Sequence, residues 1–136
     1  MDDDLYSKEL ICPVCSKKFN VTRVKLKACK VDRRDTDFCV YYLEINPLFY
    51  DAWVCGNCGY AAQADKFQDI SAKETNMLLE KLAPKWNKRS FEGERDVNGA
   101  IEAFKLVLLS HQLRGVKSSE FAKVCMRIAW LYRTVD

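Results

Sequence analysis

Two Cys-x-x-Cys pairs, Cys12-Pro13-Val14-Cys15 and Cys55-Gly56-Asn57-Cys58, limit what this chain can fold into more than any other feature. Residues 16–54 lie between them, enough for a folded insert that returns the second pair to the first. Two residues between cysteines let the backbone turn so that both sulfurs face one point. Two such turns brought together make a four-sulfur pocket suited to tetrahedral Zn²⁺. Pro13 restricts the first turn. Gly56 and Gly59 are expected to take positive φ in the second and to keep side chains off the metal. Four thiolates (−4) around Zn²⁺ (+2) call for backbone N–H groups pointing at the sulfurs. The formal charge of +3 then falls to about +1 on binding.

One ion held by Cys12, Cys15, Cys55 and Cys58, acting as a structural staple, is the leading expectation, because closed Cys₄ sites leave no open position for catalysis. A redox reading stands beside it, since Cys-Pro-x-Cys resembles a thioredoxin-type site. That motif opens a helix in a βαβ pattern, whereas here Ser16-Lys17-Lys18-Phe19 leads into a strand-like stretch. Cys29, Cys39 and Cys125 have no partner at the same spacing and read as small buried or half-buried residues. Cys39 is the one candidate substitute ligand.

At 136 residues, 49% hydrophobic and 30% charged, the chain is globular and could form one domain or two small ones. Its start, Met1-Asp2-Asp3-Asp4, is acidic where a secretory signal would be basic. No apolar run approaches membrane-spanning length. Seven cysteines without a signal fit a reducing compartment, where thiols bind metal rather than pair. A cytoplasmic protein with no membrane partner is expected.

Residues 1–70 read as a β-rich, zinc-ribbon-like unit. Val24, Leu26 and Ala28 alternate with Arg23, Lys25 and Lys27, a half-buried strand within Phe19–Ala28. Arg33-Arg34-Asp35-Thr36-Asp37 reads as a turn, Phe38–Ile45 as a second strand ended by Asn46-Pro47, and Tyr50–Val54 as a third that delivers Cys55. Residues 17–34 hold eight Lys or Arg against one Asp, a net of +7; residues 35–58 hold four acids and no Lys or Arg, a net of −4. Opposite charges on neighbouring strands pair across a sheet. The sharper alternative is a basic face of Arg23, Lys25 and Lys27 for nucleic acid or another anionic partner.

Residues 71–136 are helical. Ser71 with Glu74 forms a capping box before Met77, Leu78 and Leu82. Residues 84–95 read as a linker with Trp86 and Phe91 as packing anchors. Asp96 caps a helix carrying Ala100, Ile101, Phe104, Val107 and Leu108, and Gly115 ends it. Ser118 is expected to cap a third helix with Phe121, Val124, Cys125, Ile128, Leu131 and Tyr132 inward. Ala100–Phe104 and Arg127–Tyr132 resemble half-units of a tetratricopeptide repeat. The apolar surface of the last helix is expected to meet further chain or another molecule, a second copy of this chain included.

Several of these segments together resemble one bacterial family, the domain of unknown function numbered 2225: Cys12-Pro-x-Cys15 with Phe19, Arg33-x-Asp35-Thr36-Asp37-Phe38, Asn46-Pro47-Leu48-Phe49-Tyr50, Val54-Cys55-Gly-x-Cys58-Gly59-Tyr60-Ala61, and Ala129-Trp130-Leu131-Tyr132. The resemblance covers nearly the whole chain. It implies a cytosolic protein with an N-terminal Cys₄ zinc module and a C-terminal helical-repeat part. Members are usually longer in the helical part, which implies that this one is cut or short there. The family has no established activity, so no function follows from it.

The sequence therefore predicts an α+β protein: a small antiparallel zinc-ribbon-like unit over 1–70, then three tetratricopeptide-like helices over 71–136. It holds one structural Zn²⁺ and binds a protein or peptide. No catalytic residue is expected: the one histidine, His111, reads as a surface partner of a helix C-terminus. Arg33, Asp35 and Asp37 are the best candidates for a second site, with a turn as the plainer role. Tyr41, Tyr42, Phe49, Tyr50 and Trp53 either line a pocket or form the ribbon's core.

Overall fold

The computed structural model describes residues 4–25, 29–36, 39–42 and 45–134. Among the described residues, six short strands precede three α-helices: β1 Leu5–Ile11, β2 Lys18–Val24, β3 Val31–Arg34, β4 Val40–Tyr42, β5 Ala52–Val54, β6 Ala61–Gln63, α1 Ala72–Lys81, α2 Val97–Arg114 and α3 Ser118–Arg133. The arrangement is α+β, as expected. The strands form three separate antiparallel pairs, β1–β2, β3–β4 and β5–β6. In the first, Leu5 faces Val24 and Ile11 faces Lys18; in the third, Ala52 faces Gln63 and Val54 faces Ala61.

Several expected elements shift. β2 ends at Val24, and Leu26, Lys27 and Ala28 lie outside the described residues. Val21 and Thr22 are both buried because each face of β2 is covered, so the simple alternation does not hold. The Thr22 hydroxyl accepts the Gly93 N–H at 2.6 Å. Arg33 and Arg34 belong to β3 rather than to a turn, since they pair with Tyr41 and Val40. Asp37 and Phe38 are outside the described residues. Residues 47–50 form a 3₁₀ turn, so Tyr50 does not start the third strand, which runs over Ala52–Val54. The Asn46 side chain caps the turn by accepting the Leu48 N–H at 2.9 Å.

Helix starts follow their local chemistry. Ser71 and Glu74 form both bonds of the capping box, at 3.2 and 3.1 Å. Asp96 Oδ1 accepts the Gly99 N–H at 2.7 Å, and Gly115, at φ 71°, closes α2. Ser118 does not cap α3: Lys117 occupies that position, and no side chain caps the helix there.

The core has two neighbouring clusters. One surrounds the cysteines: Val14, Val21, Trp53, Tyr60, Ala62 and Phe67 pack with Leu78 and Leu82 of α1. Tyr60 and Phe67 rings stand 4.7 Å apart, and the Tyr60 hydroxyl donates to the Phe67 carbonyl at 2.8 Å. The other sets Ala52, Val54 and Ala61 against Ala100, Ala103, Phe104 and Val107 of α2 and Val124 and Leu131 of α3. Small residues at 52, 61, 100 and 103 let helix and hairpin approach closely. On α3 only part of the expected stripe turns inward; Cys125 and Tyr132 are exposed.

Candidate metal centre

Each Cys-x-x-Cys pair is the turn of its own hairpin, Cys12–Cys15 between β1 and β2 and Cys55–Cys58 between β5 and β6. The two turns share one backbone pattern. Cys12 N–H donates to the Lys17 carbonyl at 3.0 Å and Ser16 N–H to that of Cys12 at 2.9 Å. Cys55 N–H donates to Tyr60 and Gly59 N–H to Cys55, both at 2.8 Å. The residue after each second cysteine is left-handed, Ser16 at φ 63° and Gly59 at φ 87°. Gly56, expected to share that conformation, does not. Its lack of a side chain serves a close approach instead, because a Cβ there would collide with the Arg89 carbonyl oxygen.

The fold brings all four predicted sulfurs together. They lie within 4.8 Å of one another and could hold a metal ion. Cys12 and Cys58 sulfurs are 3.7 Å apart, as are those of Cys15 and Cys55. Cys12, Cys55 and Cys58 are buried and Cys15 is half-buried. The Val14 N–H points at the Cys12 sulfur at 3.4 Å, and the turn N–H groups of Asn57 and Cys58 at that of Cys55. Without a cation, four thiols this close cannot all ionise. Hydrogen bonds from Cys12 and Cys58 hold the Cys55 thiolate far below the usual thiol range, and contact with Cys55 pushes Cys12 up. A cation removes that conflict and lets every sulfur be a thiolate.

The segment read as a linker with Trp86 and Phe91 as packing anchors completes the site. The Trp86 indole N–H and the Arg89 N–H both donate to the Gly56 carbonyl, at 2.8 and 3.1 Å. The Trp86 ring lies where a Cβ on Gly59 would sit, and it stacks on Phe91 with centroids 6.2 Å apart. Phe19, Trp53, Tyr60 and Phe67 pack in the same cluster as the cysteines.

The remaining candidates do not gather with the cysteines. Arg23 lies over the Trp53 ring, 5.6 Å from its centroid, and the Lys25 N–H closes the strand on the Asp4 carbonyl at 2.8 Å. Arg33 lies over the Tyr41 ring. Asp35 accepts from the Tyr41 hydroxyl at 3.0 Å and from Arg133 at 2.9 Å, tying β3–β4 to the end of α3. Tyr50 and Trp53 are core; Tyr41, Tyr42 and Phe49 are half-buried. His111 corrects the sequence reading: it is buried, edge-on to Phe121.

This combination of hairpin knuckles and helices has a family. The chain belongs to DUF2225, uncharacterised protein conserved in bacteria, whose match spans residues 5–136. Comparison with curated proteins and with solved structures finds no match. No helix among the described residues is long and apolar enough to cross a membrane.

Proposed function

We propose that Cys12, Cys15, Cys55 and Cys58 hold one structural Zn²⁺ per chain in a cytoplasmic, non-enzymatic module that binds a protein or peptide. One observation carries the metal assignment. Sulfurs about 2.3 Å from a tetrahedral Zn²⁺ stand about 3.8 Å apart, and two of the sulfur pairs here are at 3.7 Å. The four-thiolate donor set and its burial favour a staple over a reactive centre. A zinc site of this kind contributes about 10–16 kcal/mol in peptides, large against the core that such short strands can build. For binding, support comes from α3, whose Met126 and Tyr132 are 48% and 52% exposed. Its tetratricopeptide-like character belongs to the same proposal.

Metal analysis and thiol counting on native protein purified without added metal test the reading. One Zn per chain with the four thiols protected is expected. Absence of metal together with fast alkylation of Cys12 or Cys55 would overturn the staple in favour of redox chemistry. Nucleic-acid binding through Arg23, Lys25 and Lys27 is the alternative. It requires affinity that falls steeply with salt, and the stacking of Arg23 on Trp53 weakens it.

A further inference from the structure

A cavity of about 430 Å³ opens where α2 turns into α3, away from the cysteines. Its wall includes Lys66 from the turn after β6, Arg114 at the end of α2, and Lys117 at the start of α3. His111 lines it too, 5% exposed, and neither ring nitrogen has a hydrogen-bond partner. Buried polar groups are normally satisfied, so an orphaned imidazole beside an open cavity marks a missing partner. The same cavity meets the start of a 16-residue helix that no side chain caps; there the Lys117 carbonyl accepts the Glu120 and Phe121 N–H groups, and Glu120 is the acidic residue of the first turn.

Carboxylates also face this space: Asp69 from the loop before α1, Glu74 from α1 and Glu120 from α3. Two are committed elsewhere. Glu74 is paired with Arg114 at 2.7 Å and with the Ser71 N–H; Glu120 is paired with Lys123 at 3.3 Å. Among the described residues, neither Lys66 nor Lys117 has a carboxylate within ion-pair distance. Asp69 is the one lining carboxylate outside an ion pair, against two lysines outside one; Glu120, in the first turn of α3, also acts on Lys66 and His111 at longer range.

We propose that this corner binds a small tetrahedral oxyanion of the phosphate class, held by Lys66, Lys117 and His111. The anion supplies the counter-charge that lets His111 take up a proton and donate.

His111 is the one histidine of the chain, so its ring signals in NMR report this corner alone. Native protein is titrated with inorganic phosphate and separately with sulfate, at ionic strength held constant with chloride. We expect a saturable shift and a His111 that titrates at higher pH as the anion is added. Lys66→Glu and Lys117→Glu each weaken binding about tenfold, while Lys105→Glu, whose ammonium lies over Tyr132, does not. An acidic residue at a helix start is itself favourable, so the Lys117→Glu protein is expected to stay folded. A phenyl phosphate that binds tighter than inorganic phosphate would assign the site to a phosphomonoester; equal affinity would assign it to the free ion. Shifts that never saturate, or a folded Lys117→Glu protein with unchanged affinity, would overturn the proposal.

Discussion

The indole N–H of Trp86 donates to the carbonyl of Gly56 across 30 residues of sequence. A residue from the segment joining α1 to α2 thereby fixes the turn that presents Cys55 and Cys58, and its ring occupies the space left by Gly59. Trp86→Ala should lower stability by about 3 kcal/mol through lost packing and an unpaired carbonyl. Trp86→Phe, which keeps most of the packing, should cost about 1 kcal/mol. Chemical denaturation of the metal-bound variants measures both; a Trp86→Phe protein as stable as the parent would remove the hydrogen bond from the account.

Ser16 and Gly59 hold equivalent left-handed positions in the two turns but face different surroundings. Ser16→Gly relieves a backbone cost and should raise stability by about 0.5 kcal/mol. Gly59→Ala should lower it by about 2 kcal/mol or more, because a Cβ would stand 2.7 Å from the Trp86 ring in a conformation that disfavours side chains. The order of the two melting temperatures checks the pair.

Glu74 joins two tasks: it closes the capping box with Ser71, and it pairs with the nearly buried Arg114 guanidinium at 2.7 Å. Glu74→Ala should destabilise by about 2–3 kcal/mol, since it leaves that charge without its carboxylate. Glu74→Gln, which can still close the box, should cost about half as much. Urea midpoints at unchanged m-value report the difference.

Burial, with Arg114 as a second cause, holds His111 below its ordinary value of 6.5, while Glu120 and Glu74 oppose the shift. The unfolded chain therefore takes up the proton first. In anion-free buffer this histidine should cost nothing above about pH 6.5, and stability should fall as pH drops below it. Replacing His111 with Leu should flatten the part of the pH profile that lies below about 6.5. The metal centre loses thiolates in acid in both proteins, so the difference between the two profiles is the quantity to follow.

What could be read in the sequence was what neighbouring residues decide. The Cys-x-x-Cys turns, the Ser71–Glu74 box and the Asp96 and Gly115 boundaries each depend on a few adjacent positions, and the fold places them as expected. β1 was missed because six of its seven residues are not buried and its apolar and polar residues do not alternate cleanly. β6 was missed because three residues carry too little pattern. His111 looked like a surface residue, being one turn from a helix end beside Gln112. Its burial comes from Phe121, which Gly115 turns back over it. Residues 84–95 look like a polar linker because their partners, Gly56 and Gly59, lie about thirty residues earlier in the chain.

Cys15 is the one member of the sulfur group that is not fully buried. The Cys55–Cys58 turn lies under Trp86, and Cys12 is wholly enclosed. With an ion in place, exchange with a chelator or a metal-transfer partner would begin at this single accessible ligand. Release would follow a fixed order, Cys15 first and the covered hairpin last, so the lifetime of the bound ion would depend on how often the Trp86 segment opens rather than on affinity alone.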